Sequence, residues 1–231
     1  DSKWIKNLNR FKDKFDLMDA NFCTSDPRSL KLNKSVPIYF LPNPVDDSFE
    51  KLKNYENNFL DKDVFFAMSH GVHRGVLKKG KFDERENLIN YLIKKNPHLK
   101  FNIFGMNNIQ PIWGDEFKKQ LYNSKIALNL SQGKPLKYYS SDRIAQLMGN
   151  GIATLIDKKT KLNKLFSKDE VIFYNSNLDL NKKLNFMIKN SYKRTQLAKK
   201  GRFNYHKKFN SIVIADFIIS KTFNIYKKFN W

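Results

Sequence analysis

From Asp63 onwards the chain alternates between short apolar runs and amphipathic runs of helical period, an order that few architectures accommodate. "VFFAMS" reads as a buried strand and "DERENLINYLIKKNP" as a helix whose apolar side carries Leu88, Ile89, Leu92 and Ile93. "LKFNIFG" is the next strand. "GDEFKKQLYNS" is a helix with Asp115 and Glu116 in its first turn and Lys118 and Lys119 further on, the order that suits the helix dipole. "KIALNLS", "SDRIAQLMG", "IATLID" and "EVIFYN" continue as strand, helix, strand and strand. Strands separated by helices connect through right-handed crossovers and lie parallel in one sheet. The expected fold is α/β, a Rossmann-like doubly wound parallel sheet, with a helical C-terminal extension after Asn181.

Upstream, Phe15 to Ser25 reads as a short strand and turn, and Val36 to Asp46 as a strand stopped by Pro42-Asn43-Pro44. The Lys-, Asn- and Asp-rich stretch that follows is expected to be a linker over 48–62, with the sheet domain at 63–205. The last helix, at 206–231, is rich in Ile and Phe and must pack on something.

A formal net charge of +21 invites a nucleic-acid reading, but only seven of the 43 basic residues are Arg, and the Lys is spread over every segment. Dispersed Lys gives solubility and mild attraction to anions. The strands are apolar, without the alternating basic and aromatic face of a nucleic-acid-binding sheet, so no specific nucleic-acid partner is expected. Against this background the Arg residues stand out, because a planar fork is something Lys cannot supply. Arg74, Arg85 and Arg143 draw attention first. No apolar stretch approaches the roughly 20 residues of a membrane span. The single Cys23 fits a reducing cytoplasm, and the start at Asp1 suggests a piece or processed product of a longer protein.

In an open parallel sheet, ligands bind outside the carboxyl ends of the strands. Four segments reach that end: 69–81, with three glycines, two histidines and Arg74; Phe104 to Asn108; the Gly-Pro loop 131–139; and Ser140 to Asp157, "SSDRIAQLMGNGIATLID". In the last, Ser140 and Ser141 are good helix caps, and Arg143 converges with free N–H groups in one turn. Its guanidinium either forks onto phosphate or ties neighbouring loop carbonyls. Gly149 and Gly151 can bring the helix close to the next strand. His70 and His73 lack metal-ligating neighbours, so no metal is expected. No GxGxxG, GxxxxGK[ST], CxxC or HExxH arrangement is present.

The ordered set "LPNPVD", "FNIFGMNN" and "KIALNLSQGKPLKYYSSDRIAQLMGNGIATLID" resembles the carboxyl half of GT-B glycosyltransferases, closest to group 1 and spore-coat-like bacterial families. Arg143, Met148, Gly151 and Asp157 fit the family pattern Arg-x-Phe-Glu-Ala-x-x-x-Gly followed by a strand ending in Asp; Ala145 and Gln146 replace its Phe and Glu. The resemblance implies a nucleotide-diphosphate-sugar donor as substrate, without cofactor or metal, and transfer to a glycan or lipid-linked acceptor. It implies that Gly71, Arg74, Ser140, Ser141 and Arg143 face the donor diphosphate or sugar. Phe104, Gly105, Met106 and Gln146 would lie near base and ribose. No catalytic residue follows from it. Residues 1–47 would be the tail of an otherwise missing amino domain, with 206–231 packing back toward it. A cytoplasmic enzyme of cell-surface polysaccharide synthesis, in peripheral contact with an anionic membrane, is expected. The alternatives are a catalytically weak glycosyltransferase-like binding domain, which the Gln146 replacement favours, and a basic nucleic-acid-binding protein.

Overall fold

A computed structural model describes residues 14, 17–30, 37–69, 72–73, 76–77 and 83–231. Five strands form the main sheet: β3 (Lys62–Ala67), β6 (Phe101–Phe104), β7 (Ser124–Asn129), β8 (Ala153–Asp157) and β9 (Ile172–Tyr174). Their spatial order is β6-β3-β7-β8-β9, with every pair parallel. Among the described residues two smaller pairs accompany the sheet: parallel β1 (Asn21–Cys23) and β2 (Ile38–Phe40), and antiparallel β4 (Val72–His73) and β5 (Val76–Leu77).

Alternation along the strands sorts the core onto two faces. Val64 and Phe66 of β3, with Ile126 and Leu128 of β7, pack against Ile89 and Leu92 of α1 (Glu84–Lys95) and Leu180 and Leu184 of α4 (Asn177–Lys189). Phe65, Ala67 and Ala127 point the other way, onto Leu121 of α2 (Gly114–Tyr122) and Leu147 of α3 (Asp142–Gly149). Burial on both faces explains why these strands read as continuous apolar runs. From β3 the chain goes to β6 on one side, then crosses to β7 on the other. The sheet therefore has its topological switch point between β3 and β7, where a crevice opens above the carboxyl ends.

The final helices are α5 (Ser191–Phe209) and α6 (Ser211–Thr222), so the expected boundary at 206 falls inside α5. Phe217 of α6 sets its ring edge-on to Phe22 and Tyr39 of the β1–β2 pair. Val45 joins them, donating its N–H to the Phe209 carbonyl and accepting from Ser211 N. The stretch 48–62, expected as a linker, lies along the sheet domain. The Asn54 Nδ2 group donates to the carbonyls of Leu121, Tyr122 and Ser124, and Arg202 donates to the carbonyls of Leu52 and Glu50. Polar composition concealed this docking, because hydrogen bonds to backbone carry much of it and only isolated apolar residues, Leu52 and Tyr55, pack on the core.

Candidate functional site

A cavity of about 890 Å³ occupies the switch point. Its floor is Ala67, Met68 and Ser69 after β3 and Leu130, Ser131 and Gln132 after β7; the first turns of α2 and α3 form opposite sides, and Asn43, Phe49 and Glu50 form a further wall.

Arg143, in the first turn of α3, lies across the switch point. Its Nε donates to the Ala67 carbonyl at 3.2 Å and its Nη1 to the Leu130 carbonyl at 2.7 Å, so one side chain ties the ends of β3 and β7 together. The guanidinium also sits 5.4 Å from the centre of the Phe66 ring. Of the two roles open in the sequence, the loop-tying one is therefore realised, while the side chain still lines the cavity. Among the described residues no carboxylate pairs with it. Burial first, then the neighbouring Arg85, pushes its pKa down to about 10, which leaves it charged at neutral pH. Arg85 lines the same cavity but is neutralised: its Nε and Nη2 both bond the Asp83 carboxylate at 2.8 Å. Asp83 in turn caps α1 in a capping box with Glu86, which fixes the pair.

The two serines divide. Ser140 is buried and engaged with the chain crossover: its Oγ accepts from Asn43 N, its carbonyl accepts from Asn43 Nδ2, and its N–H donates to the Thr24 carbonyl. It lines the cavity as well, so it anchors the crossover at the edge of the site. Ser141 borders the cavity as the residue before α3, but its hydroxyl donates to Asn129 Oδ1 instead of capping the helix. Gln146 lines the cavity and is exposed.

The expected base contacts fare differently. Met106 is 1% exposed and packs in the core, so it offers no side chain to a ligand. Phe104 packs beside Phe65 in the core face toward α2, with ring centres 6.3 Å apart. Gly105 turns the chain at φ +81°, where a Cβ would lie 1.7 Å from the Met68 carbonyl oxygen; glycine is required there by close packing. None of the three lines the cavity. Gly105 and Met106 are buried, and the exposed Asn107 and Asn108 that follow adopt positive φ and turn the chain. The aromatic residues that do border the cavity are Phe49, Trp113, Phe117 and Tyr139. Trp113 precedes a helix and Phe49 follows a proline turn, so neither shows a periodic signal; Arg85, which the scarcity of Arg singled out in the sequence, does line the cavity.

Gly71 and Arg74 lie outside the described residues, as does His70. Among the described residues no group of three or more His, Cys, Asp or Glu could hold a metal ion, and no helix is long and apolar enough to cross a membrane.

Comparison with solved structures places this architecture among glycosyltransferases. The chain is similar to HepE of Anabaena in complex with UDP and glucose, with TM-score 0.66 and 11% identity over 95% of this chain and 67% of that one. It is similar to TarM, known from S. aureus, with TM-score 0.67 and 12% identity over 94% of this chain and 46% of that one. It is also similar to sucrose-phosphate synthase from Thermosynechococcus elongatus, with TM-score 0.63 and 10% identity over 97% and 62%. At such identities the likeness is one of fold, the GT-B fold. The chain thus spans between about half and two thirds of these proteins' length. No curated protein matches the sequence. The profile of a family described as glycosyl transferase-like matches residues 84–220. Since that match spans more than half of the chain and takes in both helices whose arginines meet at the switch point, the chain belongs to the glycosyl transferase-like family.

Proposed function

We propose that this chain is the donor-binding part of a glycosyltransferase that moves a sugar from a nucleoside-diphosphate sugar to a glycan or lipid-linked acceptor. The observation that carries this reading is Arg143, a charge held beside the cavity at the switch point with no carboxylate partner among the described residues. A partly buried cation without a counter-charge carries a desolvation cost, which an anionic ligand offsets. In transfer, the bond from the sugar to the diphosphate oxygen breaks and negative charge grows on the leaving diphosphate. Arg143 is fixed in advance by the Ala67 and Leu130 carbonyls, and the N–H groups at the start of α3 by the helix itself, so they stabilise that charge with little reorganisation. Trp113 and Phe117 offer apolar surface for a base on the α2 side. Structures of HepE with UDP and of TarM with UDP support a nucleotide in this class of fold. Residues 1–47 read as the tail of an amino domain, supported by the small parallel β1–β2 pair. A cytoplasmic location and a peripheral membrane contact belong to the same proposal.

The test is thermal unfolding with a panel of nucleoside-diphosphate sugars. A specific ligand at 100 times its Kd stabilises the native state by about 2.7 kcal/mol. A raised Tm with one or two members supports the reading; no shift with any member contradicts it. A second reading, a domain that binds the donor without turnover, is favoured by Gln146 in place of an acid. It predicts the Tm shift without release of nucleoside diphosphate when acceptors are supplied.

A further inference from the structure

Gln146, Gly149 and Asn150 occupy one face of α3 and its cap, three and four residues apart, and that face borders the cavity and the 45–52 stretch. Gly149 leaves a gap in it. A Cβ on Gly149 would lie 2.7 Å from Glu50 Cγ and 2.8 Å from Val45 Cγ1, so the Glu50 side chain runs through the space that any other residue would fill. The Asp46 N–H donates to Glu50 Oε2 at 2.9 Å, and Asn150 Oδ1 holds the backbone by accepting from Leu52 N. Both ends of this wall are thereby fixed. Among the described residues no cation pairs with Glu50, and the Gln146 amide has no hydrogen-bond partner. Both side chains line the cavity that Arg143 borders.

The Glu50 side chain takes the space beside Gly149, one helical turn along α3 from Gln146, so a carboxylate from the 45–52 stretch and an amide from α3 line the same cavity. The carboxylate only accepts; the amide both accepts and donates. Together they match two neighbouring hydroxyl groups, one donating to Glu50 Oε1 and the other exchanging hydrogen bonds with Gln146. An anion would be repelled by Glu50 and drawn to Arg143, which orients a ligand with phosphate at one end and a diol at the other.

We propose that Glu50, carried by the segment between β2 and β3, is a specificity-determining residue that together with Gln146 binds a vicinal diol of the ligand. This rests on the nucleotide-sugar reading above. The diol comes from the ribose or from the transferred sugar, and the experiment separates the two.

Wild type, Glu50→Gln and Glu50→Ala are titrated calorimetrically with UDP, GDP and ADP, their 2′-deoxy counterparts, and the matching glucose-bearing nucleotides. Glu50→Gln retains an oxygen for the Asp46 N–H, so folding is preserved while the charge is lost. A wild type that prefers the ribonucleotide about tenfold, with the preference reduced severalfold in both variants, supports the proposal with ribose as the source. Equal affinity for ribo and deoxy forms, with both variants weakened only toward the sugar-bearing nucleotide, supports it with the sugar as the source. Wild type and both variants binding every ligand alike overturns the proposal and leaves the nucleotide reading standing. A wild type that binds no nucleotide overturns both.

Discussion

Arg143 shows how one side chain can shape a site and also charge it. Because Nε and Nη1 bond two carbonyls on different strands, Arg143→Lys keeps the charge but satisfies at most part of that geometry. The variant is predicted to lose about 1–2 kcal/mol of stability in denaturant unfolding, besides losing ligand affinity. An unchanged unfolding midpoint would mean that the carbonyls find other donors. Two carboxylates hold the amino-terminal segment in a pH-dependent way. Hydrogen bonds from the Ser211 hydroxyl and Ser48 pull the Asp46 pKa down to about 2, and Asp26 is lowered by Arg28 and Lys137, which joins it to the 131–139 loop. A depressed folded pKa gives stability that is fully present above the ordinary carboxylate pKa of about 4 and is lost as pH falls through the folded value. Tm is therefore predicted to hold down to about pH 5 and to decline progressively from about pH 4 toward 2. Asp46→Asn is predicted to flatten part of that decline; an identical acid limb in the variant would remove Asp46 from the account.

At the scale of elements, the break after α3 sets where the crossing segment lies. Gly151 has φ +72°, and a Cβ there would be 2.8 Å from the Tyr55 ring. Gly151→Ala is predicted to destabilise by about 1–3 kcal/mol through left-handed strain and overpacking. Asn54→Ala, which strands three carbonyls, is predicted to cost about 2–3 kcal/mol. Denaturant unfolding of each variant checks both values, and losses below about 0.5 kcal/mol would mean that the segment is only loosely docked. These contacts also mark the limit of what the sequence reveals. The strands and helices of the sheet domain were legible because their apolar runs and caps are local signals, and α3 was legible down to its polar first turn. Met106 and Phe104 were misplaced because strand ends look alike whether the next residue turns toward solvent or core. Glu50 was hidden because its environment is made by Gly149, ninety-nine residues away, and no local pattern records such a meeting.

At the scale of the whole molecule, the parallel sheet leaves one switch point, between β3 and β7, and Arg85 and Arg143 meet there. The +21 net charge does not select this place, since its lysines are everywhere; the sheet order does. The central claim is that the switch-point cavity binds the diphosphate of a nucleotide through Arg143. Its most direct test is calorimetric titration of wild type and Arg143→Gln with one nucleoside diphosphate and with the corresponding free nucleoside, Arg143→Gln first being shown to be folded by circular dichroism. The account predicts a loss of about tenfold or more in diphosphate affinity on substitution, the scale of a charge-assisted hydrogen bond, with nucleoside affinity unchanged. Equal diphosphate affinity in the two folded proteins would contradict it.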